Sequence, residues 1–225
     1  RVKNCVFEDC HAEETTAWGG ALYTRFAEKL TVENSVFTKN SAHRGGAIAV
    51  HDNFRKIEIK GCEFYENKAG ERTTGAAMGG AIYDMHTDIY VTGSKFYKNY
   101  AAEIGPAICL DGSGRRNGKA KDRAGVISVD GCKFYGNFGG EAVVQVSLYE
   151  RSNKLYLKNS EFCENKCTRC DPNKYCVATA AHSGVQGPIQ VENCKFSTNQ
   201  NIFGRTTGRV DGLEDESATD PGVLP

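Results

Sequence analysis

The stretch Phe96-Tyr97-Lys98-Asn99 is one of six Phe-x-x-Asn motifs in this chain of 225 residues. The other five cover residues 37–40, 64–67, 134–137, 162–165 and 196–199, and a degenerate copy covers residues 7–10. The repeated phenylalanines are Phe7, Phe37, Phe64, Phe96, Phe134, Phe162 and Phe196, at intervals of 30, 27, 32, 38, 28 and 34 residues. Because self-similarity at roughly 20 to 50 residues is typical of a solenoid, this repeat decides the fold.

Each repeat contains three short stretches that predict β-strands. The first alternates apolar and polar residues, as in Ile89-Tyr90-Val91, and this period of two indicates a strand. The second contains the Phe, and the third follows a Gly-Gly-Ala sequence such as residues 79–81. No part of the repeat shows the period of an amphipathic helix. The sequence therefore predicts an all-β fold, a right-handed parallel β-helix (solenoid) of about seven rungs with three short strands per rung.

Stacked rungs place equivalent residues above one another at a spacing of about 4.8 Å. We therefore expect the phenylalanines to form a continuous aromatic ladder inside the tube. The asparagines of the motif are expected to form a second ladder, whose side-chain amides bond backbone groups that the turn leaves unpaired. These asparagines are Asn40, Asn67, Asn99, Asn137, Asn165 and Asn199.

Four of the 10 cysteines occupy the position two residues before the Phe, where they alternate with serine from rung to rung. Equivalent cysteines are then two rungs, or about 9.6 Å, apart, which exceeds the Cα separation of a disulfide. The sequence therefore predicts buried thiols that act as small apolar residues. They are Cys5, Cys62, Cys132 and Cys194.

Four further cysteines, Cys163, Cys167, Cys170 and Cys176, lie close together in one lengthened rung. Two local disulfides are the preferred prediction, which would indicate an oxidising compartment. A zinc site that includes His182 is the alternative, although the spacing matches no standard zinc motif.

The repeat predicts a β-helix over residues 1–203, with insertions near residues 68–78, 111–124 and 166–183. Residues 204–225 predict an acidic tail or linker. The 28 basic residues balance 28 acidic ones, so nucleic acid is not an expected partner. No apolar run has the length of a membrane helix and no signal peptide is present. Because the chain begins inside a rung, we expect continuation into a longer chain or contact with another protein subunit.

The combination of Phe-x-x-Asn with Gly-Gly-Ala-Ile/Leu resembles the repeat of the polymorphic outer membrane proteins of chlamydiae. Residues 19–22, 45–48 and 79–82 carry the second motif, and the resemblance covers about residues 1 to 200. It implies a β-helix located outside the cell or at the cell surface, and a role in adhesion. The sequence lacks the C-terminal membrane barrel of that family.

Three surface features are candidates for partner binding. Tyr65, Tyr97 and Tyr135 each follow a ladder Phe, so they are expected to point outward as a stripe that sugar rings can lie against. A row that includes Tyr23 and Tyr83 is expected to form an outward apolar face that needs cover from a loop, the tail or a partner. The basic loop at 111–124 contains Arg115 and Arg116, which are candidates to hold an acidic polysaccharide or another anionic surface.

Catalysis is not expected, because the outward carboxylates are separated by one or more rungs and interleaved with lysines. No cofactor or metal is predicted. The sequence favours a non-catalytic extracellular structural or adhesive module that makes protein–protein or surface assembly contacts. The alternative is a carbohydrate-active β-helix enzyme, such as a polysaccharide lyase or glycoside hydrolase, or a carbohydrate-binding module.

Overall fold

The computed structural model describes residues 1–12, 14–51, 56–70, 77–111, 126–140, 142–147, 154–167, 178–179, 181–182, 185–186 and 189–199. The first strands in chain order are β1 (Val2–Lys3), β2 (Val6–Glu8), β3 (Leu22–Arg25), β4 (Leu30–Glu33), β5 (Val36–Thr38), β6 (Ser41–Ala42), β7 (Ile48–His51), β8 (Lys56–Lys60), β9 (Glu63–Tyr65), β10 (Lys68–Ala69), β11 (Ile82–Met85), β12 (Asp88–Thr92), β13 (Lys95–Tyr97) and β14 (Tyr100–Ala101). The remaining strands are β15 (Ile108–Asp111), β16 (Val126–Asp130), β17 (Lys133–Tyr135), β18 (Phe138–Gly139), β19 (Val144–Ser147), β20 (Lys154–Lys158), β21 (Glu161–Cys163), β22 (Lys166–Cys167), β23 (Ala178–Thr179), β24 (Ala181–His182), β25 (Val185–Gln186), β26 (Ile189–Glu192) and β27 (Lys195–Ser197).

These strands form four parallel sheets that run along one axis. Sheet 1 has the order β1-β4-β8-β12-β16-β20-β26, and sheet 2 has the order β2-β5-β9-β13-β17-β21-β27. Sheet 3 has the order β22-β18-β14-β10-β6, and sheet 4 has the order β23-β19-β15-β11-β7-β3. The strands β24 and β25 pair antiparallel outside this pattern. The prediction of an all-β parallel β-helix is therefore confirmed, and no helix in the described part is long and apolar enough to cross a membrane.

A complete turn in the described part has four strands, so the prediction of three is wrong. The additional strand has two residues, follows the Asn of the motif and belongs to sheet 3. Sheets 1 and 2 have seven strands each, whereas sheet 4 has six and sheet 3 has five, so the number of complete turns is slightly smaller than predicted. Strands β10 and β22 occupy the first two residues of the segments 68–78 and 166–183, near which the sequence predicts insertions.

The phenylalanine ladder is the centre of the hydrophobic core. Neighbouring rings stack face to face, with centroids 4.6 to 5.1 Å apart and ring planes within 10° of parallel. Phe37, Phe64 and Phe96 are 0% exposed, whereas Phe7 in the first described turn is half-buried. Leu30, Ile57, Ile89, Ile127, Leu155 and Ile189 of sheet 1 face the same core. One turn alone could not bury these rings, so the core exists only because the turns stack.

The asparagine ladder joins each turn to the next by side-chain hydrogen bonds. Asn99 Nδ2 donates to Phe64 O at 3.1 Å and to Asn137 Oδ1 at 2.9 Å. Asn99 Oδ1 accepts from the backbone N of Asn67 at 3.1 Å and from Asn67 Nδ2 at 3.0 Å. The same pattern recurs at Asn40, Asn67, Asn137 and Asn165. A buried amide is stable here because both its donor and its acceptor have partners.

The cysteine and serine side chains two residues before each Phe form a third column. Cys62 N donates to Ser94 Oγ at 3.1 Å, and Ser94 N donates to Cys132 Sγ at 3.4 Å. Cys62, Cys132 and Cys194 are buried free thiols. Cys5 is only half-buried, so its prediction as a buried thiol is wrong; no described turn packs on that side of it.

The outward face of sheet 4 is covered from within the chain, so the prediction that Tyr83 faces outward for a partner is wrong. Tyr83 is 0% exposed and packs with Ala49, Cys109 and Ile104. The cover comes from the residue before each Gly-Gly pair and before Gly105-Pro106, because Trp18, Arg44, Met78 and Ile104 form a parallel column. Trp18 contacts the Tyr83 ring edge-on at 5.2 Å, and the Arg44 guanidinium lies 5.4 Å from the same ring.

The Gly-Gly pair lets the chain fold over sheet 4 closely enough to provide this cover. Gly45 has a φ of +65°, and a Cβ there would lie 2.3 Å from Ile48 O. A Cβ on Gly46 would lie 2.2 Å from Gly80 O. The following alanines also face the main core, because Ala47 N and Ile48 N both donate to Ala81 O, which bends the chain at this corner. Ala47, Ala81 and Ala107 therefore belong to the main core and not to the outward face that carries Tyr23 and Tyr83.

We expect the substitution Asn99→Ala to lower the free energy of unfolding by about 2 to 5 kcal/mol, because it removes the shared acceptor of two buried donors. These donors are the backbone N and the side-chain Nδ2 of Asn67, which both donate to Asn99 Oδ1. Denaturant unfolding followed by far-UV circular dichroism measures the change. Thr92→Val, on the exposed face of the same turn, is the control and should change the free energy by less than about 0.5 kcal/mol. Equal effects of the two substitutions would contradict a stabilising asparagine ladder.

The buried thiol of Cys132 should make the fold less stable at high pH. Burial raises the pKa of Cys132 to about 11 from an ordinary value of 9.0. The unfolded state therefore ionises first, and stability is lost as the pH rises from 9 to about 11, by up to about 3 kcal/mol. Because lysines and tyrosines titrate in the same range, the measured quantity is the difference between the wild type and Cys132→Ser. Parallel pH profiles of the two proteins would contradict this prediction.

Candidate functional site: a tyrosine groove on sheet 2

The outer face of sheet 2 is formed by the residues on either side of each ladder Phe. Since successive side chains of a strand point to opposite faces, a buried Phe directs both neighbours outward. The row before the Phe is Val6, Val36, Glu63, Lys95, Lys133, Glu161 and Lys195. The row after it is Glu8, Thr38, Tyr65, Tyr97, Tyr135, Cys163 and Ser197.

Three consecutive tyrosines of the second row form an aromatic stripe. Tyr65, Tyr97 and Tyr135 pair in register across β9, β13 and β17. Tyr65 and Tyr97 are half-buried and Tyr135 is 38% exposed. The rings of Tyr97 and Tyr135 meet edge to face, with centroids 6.4 Å apart and planes at 68°. The stripe therefore differs from the flat stack of phenylalanines beneath it and presents ring faces as well as edges to the outside.

A groove of about 360 Å³ lies at the end of this stripe. Its lining residues are Tyr97, Lys133, Phe134, Tyr135, Glu161, Phe162, Cys163, Lys195 and Ser197. The groove forms because the row after the Phe changes from large residues to small ones, with Cys163 and Ser197 following Tyr135. Sequence reasoning identified the stripe but missed the groove, although this decrease in side-chain size was the signal for it.

The groove combines aromatic rings with fixed polar groups. Lys133 Nζ lies 3.1 Å from Glu161 Oε2, and this ion pair crosses the floor from β17 to β21. A hydrogen bond to the Glu164 carboxylate raises the pKa of Tyr135. Next to the groove, Lys95 Nζ pairs with Glu63 at 2.7 Å, and Lys98 Nζ lies 5.9 Å from the centre of the Tyr65 ring.

The other residues predicted to bind a partner are not part of this site. Tyr23 is 44% exposed and lies on sheet 4, where its hydroxyl is 3.4 Å from His51 Nδ1. Tyr83 donates a buried hydrogen bond to Asp111 Oδ2 at 2.9 Å and accepts one from Arg44 at 3.3 Å. Arg115 and Arg116 lie outside the described residues.

The prediction of two disulfides among the four clustered cysteines requires all four to be paired, and Cys163 contradicts it. Cys163 is a free thiol whose Sγ lies 3.5 Å from Thr198 Oγ1. Cys167 belongs to β22, and its side chain lies outside the described part of the structure, as do Cys170 and Cys176.

Three of the described carboxylates on sheet 1, those of Glu33, Glu58 and Glu192, are paired with cations. Glu58 is bonded by Lys29 and lies 2.9 Å from Lys56 Nζ, and these bonds lower the pKa of Glu58 to about 2. Arg1 likewise lowers the pKa of Glu33, through a bond of 2.6 Å. A general acid for sugar chemistry needs the opposite shift, a raised pKa. Among the described residues, no three His, Cys, Asp or Glu side chains are placed to hold a metal ion.

One further arrangement has the order of a Ser-His-Asp triad, which the sequence gave no reason to expect. His11 Nδ1 lies 2.7 Å from Ser41 Oγ, and His11 Nε2 lies 3.0 Å from Asp9 Oδ1. In catalytic triads the acid is buried, so that it can hold the imidazole in one orientation. The Asp9 side chain is 71% exposed, so water competes for its hydrogen bonds.

Comparisons with known proteins support the fold assignment. A family model described as a right-handed β-helix region matches residues 1–122, which is more than half of the chain. A search of the curated proteins finds no match, and a search of the solved structures finds none either. The matched region contains the first four Phe-x-x-Asn-type repeats and three of the Gly-Gly-Ala sequences. Together with the four stacked parallel sheets, this match shows that the chain belongs to the right-handed β-helix family.

Proposed function

We propose that this β-helix is a non-catalytic structural and adhesive module, located outside the cell or at the cell surface, that binds a partner through its tyrosine groove. The observation that carries this proposal is the groove itself, where exposed aromatic rings and fixed polar groups meet on one face. Aromatic side chains are enriched where protein surfaces bind partners, because a large contact area is ordered at little entropic cost.

The scaffold beneath the groove supports this function because it is preorganised. Phe134 and Phe162 are among the residues that line the groove, and their rings are held in the stacked ladder beneath it, with centroids 4.6 Å apart. Asn137 and Asn165 bond each other at 3.0 Å at the end of the same strands. A surface that is already ordered loses less entropy on binding, so more of the contact energy appears as affinity.

Two considerations favour binding over catalysis. Arginine and lysine side chains lower the pKa of Glu33 and Glu58 on the outer face of sheet 1, which is opposite to the raised pKa that a general acid requires. The groove on sheet 2 contains one carboxylate in its lining, Glu161, and this group already pairs with Lys133. Glycoside hydrolysis generally requires two carboxyl groups that face each other across the substrate.

The location outside the cell and the adhesive role are supported by the resemblance to the polymorphic outer membrane proteins. That resemblance rests on the repeated Phe-x-x-Asn and Gly-Gly-Ala-Ile/Leu motifs. The balanced charge of 28 basic and 28 acidic residues speaks against nucleic acid as a partner. Partners of the expected kinds are another protein subunit, the continuation of a longer chain, or a surface polysaccharide.

We expect the double substitution Tyr97→Ala/Tyr135→Ala to weaken adhesion by at least about tenfold, because each anchoring aromatic residue contributes on the order of 1 to 2 kcal/mol. The measurement is the binding of fluorescently labelled protein to cells and extracellular material of the source organism. Tyr90→Ala/Tyr156→Ala is the matched control, because Tyr90 is also 38% exposed and both residues face outward on sheet 1. Loss of binding in both double variants, or in neither, would contradict a role for the groove.

A further inference from the structure

One column of outward-facing residues on sheet 1 carries opposite charges at equal distances from its middle. This charged column consists of the last residue of each strand, and the strands pair these residues in register. The first three turns contribute Lys3, Glu33 and Lys60, the fourth contributes Thr92, and the last three contribute Asp130, Lys158 and Glu192. The signs along the column are therefore plus, minus, plus, neutral, minus, plus and minus.

Stacking within one chain explains the alternation between neighbours but not the change of phase at Thr92. Opposite charges in adjacent turns stabilise each other, as Lys158 and Glu192 do at 2.7 Å. Strict alternation over the seven strands of sheet 1 would give both ends the same sign, because the number of strands is odd. Asp130 instead stands where strict alternation would place a cation. As a result, each residue has an opposite charge as its counterpart on the other side of Thr92.

The corner that follows the charged column is lowest at the same turn. It is occupied by asparagine in the first two and last two turns, and by Gly61, Gly93 and Gly131 in the three middle turns. All seven residues have φ between +47° and +61°, so the asparagines show that this backbone does not require glycine. A Cβ on Gly93 would have no heavy atom within 4 Å, so packing within the chain does not require glycine there either. The glycines leave room for a close approach from outside, centred on the fourth turn.

A second copy of the chain, lying antiparallel along the charged column, meets an opposite charge at every charged position. A two-fold axis through Thr92, perpendicular to the solenoid axis, brings Lys60 of one copy to Asp130 of the other. It likewise brings Glu33 to Lys158, and Lys3 to Glu192. Because a two-fold contact is isologous, each of these pairs occurs twice. A parallel copy would instead place each charge against its own sign.

The other charges of sheet 1 are compatible with this arrangement. Arg1 and two lysines of the first three turns are bonded by carboxylates of their own chain. The first three turns still carry an excess of positive charge, and the antiparallel copy presents its last three turns to them. Among the described strand residues of those turns, Lys154 is the only charge outside the charged column. Asp88 lies four residues before Thr92 and therefore away from the axis.

The size of the contact predicts a weak and reversible dimer. Seven turns at about 4.8 Å form a strip about 29 Å long, and a strand of four to five residues is about 15 Å long. The strip therefore covers about 400 Å² on each copy, whereas a stable interface generally buries about 800 Å². Ion pairs at such an edge are exposed to solvent, so added salt should weaken the dimer further.

From these observations we infer that sheet 1 carries a self-association surface, through which two copies of the chain pair antiparallel with Thr92 on the two-fold axis. This inference goes beyond the proposed adhesive function, because the tyrosine groove lies on sheet 2 and is not part of the contact. Adhesion through Tyr97 and Tyr135 is measured separately, so the inference and the proposed function can fail independently.

The test uses the position on the axis, because Thr92 is the one residue of the charged column that meets its own copy. Thr92→Lys and Thr92→Glu each place two like charges together, and each should raise the dissociation constant of the dimer at least about tenfold. An equal mixture of the two variants should form a dimer at least as tight as the wild type, since opposite charges then meet. Within the chain, residue 92 lies between Lys60 and Asp130, so a charge of either sign has one attractive neighbour and one repulsive neighbour.

Sedimentation equilibrium at low ionic strength, from about 10 μM to 1 mM protein, measures these dissociation constants. Thr38→Lys and Thr38→Glu are the matched controls, because Thr38 also faces outward but lies on sheet 2. Both controls should dimerise like the wild type, and unfolding midpoints should show that all four variants are folded.

Three results would overturn the inference. The first is a wild type that stays monomeric over the whole concentration range, in which case the charged column does not bind a second copy. The second is a mixture of the Thr92 variants that dimerises no better than either variant alone. The third is a dimer with twice the length of the monomer in small-angle X-ray scattering, because an antiparallel pair side by side keeps about the length of one copy.

Discussion

Each side chain in this fold has to be compatible with its own copy one turn away, because the parallel strands stack in register. An apolar residue such as Phe96 meets this requirement by stacking on Phe64 and Phe134. A buried polar residue meets it only if it carries both a donor and an acceptor, and for this reason an amide occupies the ladder where a carboxylate would place acceptor against acceptor. On the outer faces the same requirement favours opposite charges in neighbouring turns, as for Lys158 and Glu192 at 2.7 Å.

This requirement explains how far the fold could be predicted from the sequence. The Phe and Asn positions recur with fixed local spacing, so the stacked sheets and their register follow from the repeat alone. The strands of sheet 3 could not be recognised in the same way, because two residues are too few to show a period. In the sequence, each of these strands of sheet 3 is marked by a small, inward-facing residue two positions after the Asn, namely Ala42, Ala69 and Ala101.

The candidate site was predictable only in part, for a similar reason. The outward direction of Tyr65, Tyr97 and Tyr135 follows from strand alternation around a buried Phe. The burial of Tyr83 does not follow from strand alternation. Its ring is covered by Trp18 and Arg44, which belong to other turns and lie across sheet 4 because the chain bends at the Gly-Gly pairs. The groove depends on differences between repeats, whereas repeat analysis emphasises what the repeats share.

The spacing within each turn has a consequence for how such chains diverge. The apolar residue that opens sheet 1 in each full turn precedes the ladder Asn by ten residues, in the pairs Leu30 and Asn40, Ile57 and Asn67, Ile89 and Asn99, Ile127 and Asn137, Leu155 and Asn165, and Ile189 and Asn199. The distance from each Asn to the next opening residue varies instead, through 17, 22, 28, 18 and 24 residues. Changes in length are thus confined to one part of the circumference. As the repeats diverge, new loops can be inserted in that part of the turn. Sheets 1 and 2, and the groove on the outer face of sheet 2, then keep the same geometry.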